Sequence, residues 1–231
     1  MAPYALFDIE TRIDWPLLET IEGCDRDEYL DFKREQAVAN GDESVWIPHA
    51  YHIPTAIAVG LVEPTSGELS RVGCIKGSDS EEVCREFWHW LENFQASPRR
   101  GTLVSFNGRG FDLPVLELAA LRYAIRCPQH WNEQYGNRYR FQQDWHLDVL
   151  DFVTGWGAAR GVRGGLSLLS ALSGMPAKSA AHSNLEDVPL ERAQRWCRND
   201  VRRLYVVFQR LQFSRDRLKA LPAVPELENE E

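Results

Sequence analysis

The order of apolar and polar residues changes period several times along the chain, and each change marks an element. Tyr4-Ala5-Leu6-Phe7-Asp8-Ile9-Glu10 is apolar and aromatic without an internal turn residue, which predicts a short buried strand carrying two unexpected acids. Residues 12–50 are polar and acidic, and a helix over 25–40 closed by Gly41 is expected inside what otherwise reads as an excursion between strands. Residues 55–62 and 69–75 have strand character and flank Glu63-Pro64-Thr65-Ser66-Gly67, whose proline and glycine suit a turn, so the pair reads as a hairpin.

Asp79 or Ser80 can cap a following helix that runs to about residue 95 and aligns Val83, Phe87, Trp90, Leu91 and Phe94 on one face. A strand at 102–106 comes next, then the Asn107-Gly108-Arg109-Gly110 turn and a helix from Asp112 to about residue 125, which tolerates Pro114 in its first turn. A polar, aromatic loop occupies 128–145. Beyond it lie a short segment at 147–153, a glycine-rich loop through Gly165, a helix over 166–173 and a long helix over 190–212. This order predicts a single α/β domain over 1–215, a mixed sheet flanked by helices, with 12–50 as a polar insertion and 216–231 as an acidic tail in solvent.

Composition narrows the function classes only modestly. With 44% hydrophobic and 11% aromatic residues, 231 residues suffice for a substantial core and exclude a disordered chain. The formal net charge of −8 argues against coating nucleic acid by bulk electrostatics, which depends on lysine and arginine neutralising phosphates, but not against gripping one strand end. No apolar run approaches the ~20 residues of a membrane helix and no signal-peptide pattern opens the chain, so a soluble, cytoplasmic protein is expected. The five cysteines are scattered singly, without metal-ligand spacing, and read as reduced thiols.

The informative residues are acids in apolar settings. Asp8 and Glu10 are two apart, so on a strand both leave the same face, where mutual repulsion and desolvation oppose burial. A hard divalent cation resolves that conflict, and an edge strand with exposed acids is the plainer alternative. In the last helix Ala193, Cys197, Leu204, Val207 and Leu211 follow three-four spacing, and Asp200 takes the core-facing slot between Cys197 and Leu204. Arg202 and Arg203 are expected on other faces, so the plainer account of Asp200 is a salt bridge to a distant arginine. Asp112, before Leu113-Pro114, has the profile of an ordinary helix N-cap.

Three segments join these acids. Phe7-Asp8-Ile9-Glu10-Thr11, the stretch from Leu103 through Asn107, Phe111 and Asp112 to Pro114, and Trp196-Cys197-Arg198-Asn199-Asp200-Val201 resemble the DEDD 3′→5′ exonucleases. The likeness is strongest to bacterial proteins related to the proofreading domain of family B DNA polymerases. The resemblance implies a ribonuclease H-like fold and hydrolysis of phosphodiester bonds at single-stranded nucleic-acid 3′ ends, DNA favoured over RNA. It further implies that Asp8, Glu10, Asp112 and Asp200 hold two Mg2+ or Mn2+ ions, that Glu10 orients the attacking water, and that Thr11, Asn107 and Phe111 contact the strand end. That subgroup carries tyrosine four residues before the last aspartate, where this chain has Trp196, and the histidine-type subgroup carries histidine at the position of Arg195. An indole donates but offers no hydroxyl acceptor, so a catalytically weakened nucleic-acid-binding or regulatory module is the competing expectation.

Other features have two readings. Trp156 with Arg160 and Arg163 can stack and neutralise a single strand or form a plain surface loop, and Arg138, Tyr139 and Arg140 repeat the pattern. Lys178 stands where the related proteins tend to carry lysine and is a candidate phosphate contact. His49 and His52 lack partners for a zinc set and read as packing residues. Asp148 and Asp151, behind His146, either support the site or cap a short helix. Oligomeric state is not legible.

Overall fold

The structure is a computed structural model that describes residues 3–41, 45–96, 100–132, 136–159, 165–177 and 188–229. Strand β1 (Tyr4–Ile13) pairs antiparallel with β2 (His52–Val62) along its whole length, and β2 pairs antiparallel with β3 (Leu69–Cys74) as the expected hairpin. On its other edge β1 pairs parallel with β4 (Thr102–Ser105), which pairs parallel with β5 (His146–Asp148). The order β3-β2-β1-β4-β5 puts β1 at the centre of a mixed sheet.

Helices cover both faces. On one lie α3 (Ser80–Ala96) and α4 (Asp112–Arg122), which bury Phe7, Ile9 and Ile57 among Phe87, Trp88, Leu91, Leu103 and Leu116. On the other lies α7 (Leu190–Ser214), whose Cys197, Val201, Leu204 and Phe208 pack on Leu6, Ala56, Ala58 and Val104. The approach of α7 is close: a Cβ on Gly60 would sit 2.8 Å from Val201 Cγ1, so β2 needs glycine there. Short helices α5 (Val149–Val153) and α6 (Gly165–Leu172) complete the layer.

The excursion between β1 and β2 is more ordered than its polarity suggests. It contains α1 (Trp15–Glu22), capped by Asp14, as well as the expected α2 (Arg26–Asn40), in which Asp25 and Glu28 form a reciprocal capping box and Gly41 closes the helix at φ 73°. Ile13, Leu18, Tyr29, Leu30, Ile47 and Tyr51 give it a small core of its own. Arg122 of α4 fastens it to the main body through Asp14 at 2.7 Å.

Residues 216–229, expected to trail in solvent, instead run back against α7. Glu228 pairs with Arg198 and, at 2.8 Å, with Arg202, while Asn199 bonds both the amide and the carbonyl of Glu228. Leu227 joins the core beneath. The acidity that suggested solvation is what the basic face of α7 neutralises. All five cysteines are thiols, and among the described residues no helix is long and apolar enough to cross a membrane.

Candidate active site

Strand parity separates the work of β1. Phe7 and Ile9 enter the apolar α3/α4 side, whereas Asp8 and Glu10 share the α7 side with Leu6. Three-four spacing along α7 brings Asp200 to the same place: Cys197 and Leu204 are 0% and 1% exposed, and the intervening Asp200 side chain is 13% exposed. Carboxylate oxygens of Asp8, Glu10 and Asp200 all lie within 4.8 Å of one another. Cys197 fixes the approach, because its thiol contacts the Asp8 carbonyl at 3.0 Å and receives the Ala58 amide at 3.1 Å. Burial and the carboxylates of Asp8 and Glu10 keep that thiol protonated.

Asp112 is not the helix cap its sequence suggests. Phe111 occupies the cap position without a side-chain bond, and Asp112, the first helical residue, is 5% exposed. Strand β4 flanks β1 only through Leu6, and beyond that point the Asp112 carboxyl takes the Ile9 backbone amide. Burial, then the charges of Asp148 and Asp200, push its pKa from 3.8 up to about 7. Asp112 therefore adjoins the three-acid group from the β4 side without belonging to the 4.8 Å cluster.

The loop that delivers Asp112 is held by Asp148. Its two oxygens accept from the Asn107 and Arg109 amides, each at 2.9 Å, and one also caps α5 through Leu150 at 3.1 Å. Asp148 thus both holds the loop before Asp112 and caps a helix. Asn107 is exposed at φ 60°, and the loop is so tight that a Cβ on Gly108 would sit 2.2 Å from Ser105 Oγ. Beneath it, His146 is fully buried and neutral, accepting from Ser105 at 2.7 Å and donating to the Asn137 carbonyl at 3.1 Å. His52 and His49 pack their rings on Phe111 at 5.0 and 5.5 Å. The Thr11 hydroxyl is engaged by His52 at 2.8 Å and buried.

One expectation is corrected. Arg203 does not project elsewhere: it is 1% exposed, bonds the Pro176 carbonyl, and places Nε 3.7 Å from Asp200 Oδ1. Residues three apart share a helix face, so its sequence position carried the signal. Trp196 lies one turn before Asp200 and is partly buried, and Arg195 reaches instead to the Asn229 carbonyl. Arg160, Arg163 and Lys178 lie outside the described residues. Three carboxylates around one point, with a fourth beside them, are a hard-oxygen donor set of the kind divalent cations favour.

Residues 44–229 match the family described as predicted 3′-5′ exonucleases related to the exonuclease domain of PolB. The chain belongs to that family. The matched range begins after β1, so the inclusion of Asp8 and Glu10 in the site rests on their convergence with Asp200. Among curated proteins no relative matches. Of solved structures, the family B DNA polymerase of the archaeon Pyrobaculum calidifontis aligns at TM-score 0.53 and 16% identity over 92% of this chain and 25% of that one. E. coli Exonuclease I in complex with a dT13 oligonucleotide aligns at TM-score 0.45 and 15% identity, covering 94% of this chain and 42% of that one. A product-bound exonuclease I gives TM-score 0.48 and 14% identity, covering 94% and 45%. The protein has an α/β, ribonuclease H-like fold, a mixed sheet between helices that aligns with the polymerase, and it spans a quarter to less than half of these three chains.

Proposed function

We propose that this family member is an active 3′→5′ exonuclease that trims single-stranded nucleic acid, DNA in preference to RNA, through a catalytic domain comprising residues 1–215. The observation that carries the proposal is the meeting of Asp8, Glu10 and Asp200 oxygens within 4.8 Å on the central strand and the last helix. Those carboxylates, brought together from β1 and α7, repel one another and resist desolvation, which favours a bound counter-cation over a structural role.

In this reading Asp8, Glu10, Asp112 and Asp200 hold two Mg2+ or Mn2+ ions. Such ions supply hydroxide near neutral pH and stabilise the oxyanion of the leaving group. Glu10 orients the attacking water. Asn107 and Phe111 receive the terminal nucleotide, Thr11 borders it, and Lys178, Arg160 and Arg163 contact phosphates. A new P–O bond forms from water, the bond to the 3′ oxygen breaks, and a proton passes to that oxygen, releasing a nucleoside 5′-monophosphate.

Incubation of 5′-labelled DNA and RNA single strands with each metal, for the native chain and for Asp8→Ala and Asp200→Ala, tests the proposal. Stepwise shortening from the 3′ end that both substitutions abolish is expected. Metal-independent binding without shortening would instead favour a module that binds strands but does not cut them. Two observations point that way: Trp196 stands in the tyrosine position, and Arg203 already compensates part of the Asp200 charge.

A further inference from the structure

Along the β5 edge of the sheet, three exposed aromatic side chains gather where the core needs none. Phe141, Trp156 and Tyr139 are 76%, 38% and 37% exposed. The rings of Phe141 and Trp156 lie 5.7 Å apart, and Phe152 backs Trp156 at 6.2 Å. Trp156 has φ 57° between Gly155 at 57° and Gly157 at 87°. A bulky residue held in the left-handed region is uncommon, and here it displays an indole at the surface.

Guanidinium groups connect these rings to the carboxylate site. Arg109, three residues before Asp112, reaches Asp151 at 3.5 Å, and Arg140 reaches the other oxygen of Asp151 at 2.7 Å. Arg140 leaves 45% of its side chain exposed and has five N–H donors to one acceptor so engaged. Past Phe141 a groove of about 400 Å3 continues between Gln142, Gln143, Asp144, Trp145 and Arg100, whose guanidinium lies 4.5 Å over the Trp145 ring.

We infer that this edge is the track on which single-stranded DNA lies upstream of the reacting 3′ end. Phe141, Trp156 and Tyr139 stack successive bases, and Arg140 and Arg100 meet phosphates. The inference deepens the exonuclease reading and rests on it. Alternating rings and guanidiniums match the alternation of base and phosphate in a strand, whereas a protein partner would meet an apolar patch broken by charge. A duplex hides the base faces that the rings require. Arg109, which bonds the Tyr139 carbonyl at 3.3 Å and shares Asp151 with Arg140, joins the track to the loop before Asp112 and gives it a direction, from the groove toward Asp112.

The test compares the native chain with the Phe141→Ala/Trp156→Ala double variant, and with Leu121→Ala, an exposed apolar residue on α4, as control. Binding of labelled DNA strands of about 4 and about 16 nucleotides is measured by anisotropy in chelator, and kcat/KM for each with metal. The double variant is expected to lose about tenfold or more in affinity and in kcat/KM for the long strand, with the short strand and Leu121→Ala little changed. Trp156→Phe in place of alanine restores most of the loss. Long-strand binding that survives the double substitution, no binding by the native chain, or equal binding of a blunt duplex overturns the track. RNA bound as well as DNA supports it and widens its ligand. If the native chain binds through these rings but shortens nothing, the track stands and the exonuclease reading falls.

Discussion

On the α3/α4 side of the sheet, Phe7 and Ile9 sink among Phe87, Trp88 and Leu91, side chains at most 1% exposed and held mainly by packing. On the α7 side, their neighbours Asp8 and Glu10 meet Asp200, and the same helix engages Glu228 through Arg198 and Arg202 and keeps Arg203 beside Asp200. One face therefore contributes stability through apolar burial, and the other gives up some of that burial for charge. A period of two along a single strand is enough to keep these roles apart, because adjacent residues point to opposite faces of the sheet.

The sharpest way to break this division is to exchange its effects. Asp8→Ala is expected to lower the rate of strand shortening by at least about 10^2–10^3-fold while metal-free stability in urea stays level or rises, since one of three crowded carboxylates is gone. Stability lost in step with activity would mean that the acids are structural. Phe7→Ala should do the reverse, costing ~3–5 kcal/mol in urea unfolding while the rate per folded molecule is retained. Trp196→Tyr restores a hydroxyl acceptor one turn from Asp200, and a gain of roughly tenfold or more in kcat with unchanged melting is expected if water positioning limits the native enzyme.

The smallest effect concerns pH. Bonds from Arg198, then from Arg202, hold the Glu228 carboxyl down from 4.5 to about 2. A depressed carboxyl stabilises the fold above its unfolded pKa and loses that contribution as pH falls from 4.5 toward 2. The melting difference between the native chain and Glu228→Gln should therefore be small but steady near neutrality and shrink through that window. A difference that persists below it would show that Glu228 acts by shape and not by charge.

Much of this arrangement was legible in the sequence for a physical reason. Strand parity and helix spacing are local rules, and they place Asp8, Glu10 and the Asp200 slot on facing surfaces before any fold is known. The hairpin, α2 with its closing Gly41, and α7 were equally readable from turn and periodicity signals. What escaped depends on tertiary context. Asp112 looked like a cap because cap chemistry is local, whereas its bond to Ile9 arises only where β4 stops. Helix α1 spans only Trp15–Glu22, although Asp14 and Pro16 marked its start. Arg203 looked turned away from Asp200, and the docked 216–229 segment looked solvated, because charge was read without its partner.

The mismatch in length between β1 and β4 gives the centre of the sheet the mechanics of a cantilever. Past Leu6 the strand carrying the acids has β2 as its one partner within the sheet, and on the open edge a carboxyl from α4 acts as its prop. A residue at that post serves as a bracket, so damage there would slacken the arm and let its two acids drift from Asp200.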